Sequence, residues 1–212
     1  MKKIFFSDEY GLTQAVLDGR KTMTRRIIKC PRTFKGEWVA GFNIHRRHSD
    51  KKIVGWPCMY DADEREFDMG EIFPKYKVGE VVAIAQSYLN LSLAEVSQWK
   101  SNGNKTTINS LAGWTNKLFT KAELMPHHIR ITNIKIEKLQ GISDEDCLKE
   151  GIVQKFDADG TPRYRVPCEK HTWAYATDSA RDAYHFLIDK VSGKGTWESN
   201  PYVFVYEFEL ID

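Results

Sequence analysis

The chain has 212 residues and a formal net charge of +2, with 31 Lys+Arg against 29 Asp+Glu. That balance excludes a protein that coats polyanions with its whole surface, so any nucleic-acid contact must come from local clustering of cations. A chain of this length buries about 70% of its unfolded surface and needs no disulfide or structural metal.

Several further classes fall away on simple grounds. No run approaches the roughly 18 apolar residues of a membrane span, and the opening MKKIFFSDEY lacks the apolar core of a secretory signal. Cys30, Cys58, Cys147 and Cys168 form no C-x-x-C pair and read as reduced thiols, two of them packed as small hydrophobes. These features predict a cytoplasmic chain with no membrane contact, no metal and no cofactor.

In chain order, residues 4–6 suit a short strand. Ser7 can cap a short helix in which Leu12, Ala15 and Val16 share a face, and Gly19 can terminate it in the left-handed region. Residues 22–28 are rich in β-branched side chains and read as a strand. Residues 30–74 read as an insertion forming a hairpin or flap, with strands over 37–44 and 64–69 around a basic loop at 45–52 and a break at Trp56-Pro57. An apolar run at 81–88 is a buried strand. Residues 89–124 form a polar excursion in which Ser92 and Glu95 fit a capping box before a helix carrying Trp99. In 129–139 the apolar positions 129 and 131 slip to 134 and 136, which predicts a bulged strand. Ser143-x-x-Asp146 starts a short helix that ends at Gly151, with Ile142 as a staple.

The C-terminal signal is the strongest. Ala180, Ala183, Tyr184, Leu187, Ile188 and Val191 recur at helical spacing after Asp178 or Ser179 and before Gly193. Residues 202–210 then alternate, with Tyr202, Phe204, Tyr206, Phe208 and Leu210 on one face. The order predicts one α+β domain over residues 1–212, a mixed β-barrel flanked by short helices, not a doubly wound parallel sheet.

The densest chemistry is Gly19-Arg20-Lys21-Thr22-Met23-Thr24-Arg25-Arg26. Four cations in seven residues make a field able to hold a phosphate, or simply a solvated loop. Lys21 among three arginines should have a lowered pKa through like-charge repulsion, and a threonine hydroxyl beside a neutral amine supplies a nucleophile and its base. Glu150 closes a short helix, where a carboxylate opposes the helix dipole; it is either a surface residue or one with a task elsewhere. His45-x-x-His48 and Cys168-x-x-His171 are too sparse for a metal site. His127, His128 and Arg130 extend a basic surface.

Five blocks carry a family resemblance: AVLDGRKTMTRRII, Val78-Gly79-Glu80, Met125-Pro126 with Arg130, KLQGISDEDCLKEGI, and GKGTWESNPYVFVYEFELI. In this order they resemble the signature of ASCH-domain proteins, particularly the long forms of phages, prophages and bacterial genomes. They cover about half the chain and leave residues 30–74 and 89–124 outside. The resemblance implies a PUA-like β-barrel with a ligand groove for RNA or a modified nucleoside. It also implies an amidohydrolase acting on N4-acetylcytidine, in which Lys21, Thr24 and Glu150 match the catalytic lysine, threonine and glutamate. Arg20, Thr22, Arg25, Arg26 and Arg130 are then the expected ligand-binding residues, and RNA, a nucleoside or a nucleotide the partner. Single-strand ribonuclease activity is a further implication of the same resemblance. Ala83-Ile84-Ala85-Gln86 departs from the family's W-V-R-E and removes any mechanism that relies on that arginine and carboxylate. A phage or host interaction module, with the insertion and the tryptophan-bearing excursion as its surface, is a third possibility; burial of Trp99 and Trp114 would weigh against it.

Overall fold

A computed structural model describes residues 1–91, 112–168 and 173–212. Its centre is a five-stranded sheet in the order β1-β8-β9-β13-β2, built from β1 (Lys3–Ile4), β2 (Met23–Ile27), β8 (Val81–Ile84), β9 (His128–Lys138) and β13 (Tyr202–Leu210). β1 runs parallel to β8, and the other pairs are antiparallel. The fold is therefore mixed α+β, as expected. The named strands leave the sheet open, so among the described residues no sheet closes into a barrel. The sequence slip in β9 is a bulge at Thr132, where Glu207 faces Asn133 and Phe208 faces Ile131. It lets Ile129 and Ile131 stay fully buried while the strand continues past Asn133.

β13 is buried on both faces, Val203 and Val205 on one and Phe204, Tyr206 and Phe208 on the other. One side is closed by three helices: α1 (Leu12–Leu17), α2 (Asp144–Lys149) and α3 (Ala180–Ser192). α3 begins at Ser179, whose hydroxyl accepts from the Asp182 amide at 3.2 Å, and buries Ala180, Ala183, Tyr184, Leu187 and Ile188. A single turn, α4 (Thr196–Ser199), follows it. α1 corrects the sequence reading: it starts at Leu12 behind a left-handed Gly11, and Ser7 caps nothing. A turn intervenes, in which the Leu12 amide donates to the Ser7 carbonyl.

The insertion is more divided than its composition suggests. The expected strand over 37–44 is two strands, β4 (Glu37–Trp38), paired with β3 (Thr33–Phe34), and β5 (Gly41–Asn43). β5 pairs with β6 (Cys58–Tyr60) and β6 with β7 (Glu66–Glu71). This small sheet is anchored to the core by edge-on ring contacts of Phe42 with Tyr202 at 6.4 Å and Trp56 with Phe204 at 6.0 Å. A second three-stranded sheet, β10 (Val153–Phe156), β11 (Pro162–Pro167) and β12 (Trp173–Thr177), was not anticipated from sequence. Its strands are short and mostly half-exposed, so their alternation is weak. The capping box at Ser92, the helix with Trp99, and His171 lie outside the described residues. Trp114 is half-buried and packs with Tyr88, Ala122 and Met125. All four cysteines are free, and Cys147 is buried. Among the described residues no helix is long and apolar enough to cross a membrane, and no His/Cys/Asp/Glu group could hold a metal ion.

Candidate active site

The site forms where the turn after α1 meets the end of α2. The backbone leaves α1 through Gly19 at φ +71°, and the Thr22 amide donates to the Lys149 carbonyl at 3.0 Å. That bond ties the start of β2 to the last turn of α2. Ser143 caps α2 by accepting from the Asp146 amide at 3.2 Å, as its capping box predicts. Glu150 ends the helix, and Gly151 turns the chain at φ +107°. A Cβ at Gly151 would sit 2.9 Å from Leu12 Cδ2 and 3.7 Å from Lys21 Cδ. Glycine is therefore required twice there, by backbone conformation and by the close approach of α1.

Lys21 points inward and is only 1% exposed. Its Nζ donates to Glu150 Oε2 at 2.6 Å, to the Glu150 carbonyl at 2.7 Å and to the Met23 carbonyl at 2.8 Å. The carbonyl of Glu150 at the helix end thus receives a cation, and the dipole that disfavours its carboxylate is offset by the same ammonium. The Lys21 pKa is lowered, as the sequence suggested, but chiefly by burial; Glu150 opposes the shift, and Arg26 and Arg25 add to it. Like-charge repulsion is the lesser cause.

Arg25 is also buried and holds three carboxylates. Its Nη1 donates to Glu150 Oε1 at 3.1 Å, its Nη2 to Asp146 Oδ2 at 3.0 Å and to Glu137 Oε1 at 2.6 Å, and its Nε to Glu137 Oε1 at 2.9 Å. Burial alone lowers the guanidinium's pKa, but the charges of Glu150 and Glu137 outweigh it and the net shift is upward. Asp146 shows the complementary effect: burial pushes its carboxyl up, and the Arg25 hydrogen bond and the Lys135 charge more than reverse that, so its pKa is lowered. Arg25 thus holds Oε1 of Glu150 while Lys21 holds Oε2.

A cavity of about 360 Å³ opens against this network, within the roughly 300–1,000 Å³ range of small-molecule sites. Lys21, Thr24, Arg25, Arg26, Glu150 and Tyr184 line its polar part, and Phe6, Leu12, Leu187 and Ile188 its apolar part. Val191, counted in the α3 core face by its spacing, is half-exposed because it stands at this cavity's wall. Thr24 is buried, and its side chain makes no hydrogen bond with the described residues. The Tyr184 hydroxyl is buried with no partner among the described residues, and burial, followed by the Glu150 charge, raises its pKa well above the ordinary value. It stays a neutral O–H. The nearby Cys147 thiol is pushed up to about 12 by burial, which removes it as a nucleophile.

The sequence-predicted residues therefore separate into two groups. Lys21, Thr24, Glu150, Arg25 and Arg26 meet at one cavity. Arg20 is exposed and pairs with Asp18 at 2.9 Å, Arg130 pairs across the sheet with Glu209 at 3.0 Å, and Thr22 serves through its backbone; none of the three lines the cavity. His128, expected to extend a basic surface, pairs with Asp212 at 2.7 Å. Sequence reading missed Glu137, Asp146 and Tyr184. For Tyr184 a signal existed, a hydroxyl placed on the apolar face of an otherwise regular helix. Neither protein-family models, nor curated proteins, nor solved structures give a match to this chain.

Proposed function

We propose that the chain is an amidohydrolase of N-acylated pyrimidine nucleosides, N4-acetylcytidine being the type substrate, within a PUA-like, ASCH-type fold. The observation that carries this reading is the buried Lys21 Nζ–Glu150 Oε2 pair at 2.6 Å on the wall of a nucleoside-sized cavity that Thr24 shares. A groove that holds RNA by its backbone fits less well. Of the cations expected to line such a groove, Arg20, Arg25 and Arg130 are each engaged by carboxylates, and Arg26 alone makes no ion pair with a described residue.

The chemistry divides among three side chains. Thr24 Oγ1 adds to the acyl carbonyl carbon, its proton passes to the Lys21–Glu150 pair, and the pair returns that proton to the departing exocyclic nitrogen of the base. Water then cleaves the threonine ester, releasing acetate. As it stands Lys21 donates in three directions, so it becomes a base by handing one proton to Glu150 Oε2; its burial favours the uncharged amine. Tyr184, a neutral donor without a partner among the described residues, suits the oxyanion. Chromatography of N4-acetylcytidine incubated with the protein tests the reading. Cytidine should accumulate with wild type and fall at least about a hundredfold with Thr24→Ala; no cytidine from wild type refutes hydrolysis, and undiminished turnover by Thr24→Ala removes the nucleophile.

A further inference from the structure

A second cavity, of about 340 Å³, adjoins the first and shares Phe5, Arg26, Ile27 and Lys29 with it. Its composition differs in kind. The aromatic residues Phe5, Phe73 and Tyr76 stand with Arg26, Lys29 and Lys75, and its lining contains no carboxylate. Unlike the cations around Glu150, these three make no ion pair with any described residue, and all three are exposed. Phe73 is 65% exposed although it contacts Trp56 edge-on at 6.5 Å. Tyr76 is buried, only 3% exposed, and held rigidly, so Phe73 is the ring open to a base. The Tyr76 hydroxyl donates to the Lys3 carbonyl at 2.7 Å, its ring meets Tyr206 at 5.4 Å, and Lys75 Nζ lies 5.2 Å from its centroid.

We propose that this groove is a subsite for the neighbouring nucleotide, so that the preferred ligand is a phosphodiester-linked oligonucleotide carrying the pyrimidine and not the free nucleoside. The inference rests on reading the first cavity as a pyrimidine-nucleoside pocket. Unpaired cations without a competing carboxylate recognise a phosphodiester, and an exposed ring on a fixed scaffold stacks a base. Both stand beside the first cavity, and Arg26 and Lys29 at the shared rim are placed for the linking phosphate. The arrangement offers a free nucleoside nothing beyond the first cavity.

Calorimetric titration separates the contributions, using cytidine, cytidine 3′-monophosphate, and both linkage orders of a cytidine–adenosine dinucleotide. One dinucleotide should bind about tenfold or more tighter than cytidine, and its affinity should fall with salt. Phe73→Ala should weaken the dinucleotide about fivefold or more and leave the monophosphate unchanged, since it removes only stacking. Lys75→Ala should weaken both, and neither variant should alter cytidine binding. Equal affinity for cytidine and both dinucleotides, or dinucleotide binding untouched by Phe73→Ala and Lys75→Ala, overturns the subsite. Hydrolysis of N4-acetylcytidine without that extra affinity keeps the enzyme and rejects the groove. Variant-sensitive dinucleotide binding with no hydrolysis does the reverse.

Discussion

Two basic stretches of similar charge meet opposite fates. Residues 20–26 carry Arg20, Lys21, Arg25 and Arg26, and residues 45–52 carry Arg46, Arg47, Lys51 and Lys52 beside two histidines. In the first, Lys21 and Arg25 are buried in a network with Glu137, Asp146 and Glu150. In the second, the pairs are solvated: Arg47 with Asp50 at 3.3 Å inside the turn, and His45 with Glu66 of β7 at 2.9 Å. Cation density is not what separates them. The first stretch runs into an edge strand whose Arg25 is buried against carboxylates brought from β9 and α2; the second stays at the surface, pairing within its own turn and with Glu66 of β7. A buried charge is tolerated where distant segments deliver its counter-charge.

The comparison can be broken by removing one partner from each stretch. Arg25→Ala leaves Glu137 and Asp146 facing a vacated, water-poor site, and should lower stability by about 3–5 kcal/mol in urea denaturation. If it changes stability no more than a surface variant, the network is solvated and the contrast fails. Acid should act on the same network. The folded pKa of Asp146 is lowered from 3.8, so its contribution is complete above that pH and disappears as pH falls through the folded value. Asp146→Asn should therefore cost about 2 kcal/mol at pH 7, and the gap to wild type should narrow below pH 4 in a series of denaturation curves.

Tyr184→Phe sharpens the contrast from the other side. It deletes a buried hydroxyl with no partner among the described residues, so stability should hold or rise by about 1 kcal/mol while turnover of N4-acetylcytidine falls. A loss of stability with unchanged turnover would make the hydroxyl structural. The smallest effect belongs to the second stretch: Arg47→Ala should shift the unfolding free energy by less than about 0.5 kcal/mol.

How much of this was legible depended on how local the cause was. α3, β13, the slip in β9 and the cap of α2 are each governed by spacing within one segment, and all were readable from it. Glu150 was readable as an oddity, a carboxylate at a helix end, because its local placement is unfavourable. Its oxygen 2.6 Å from Lys21 depends on residues 129 positions apart and has no local trace. The same holds for Glu137 and Asp146, ordinary acids until β9 and α2 carry them to Arg25. The strands β10 to β12 and the division of residues 37–44 escaped for a different reason. Half-exposed strands of two to six residues have too little apolar alternation to be told from turns.

The pairing of β2 has a consequence for how the molecule assembles. Its strand neighbour is β13, about as far away in the chain as any residues can be, so the segment bearing Lys21, Thr24 and Arg25 emerges long before the edge it completes. During synthesis that segment is an unpaired strand, the kind most prone to join a second copy. Its arginines and lysine then act as gatekeepers, repelling identical strands until β13 arrives. The charges that later vanish into the core first keep the nascent chain apart from its copies.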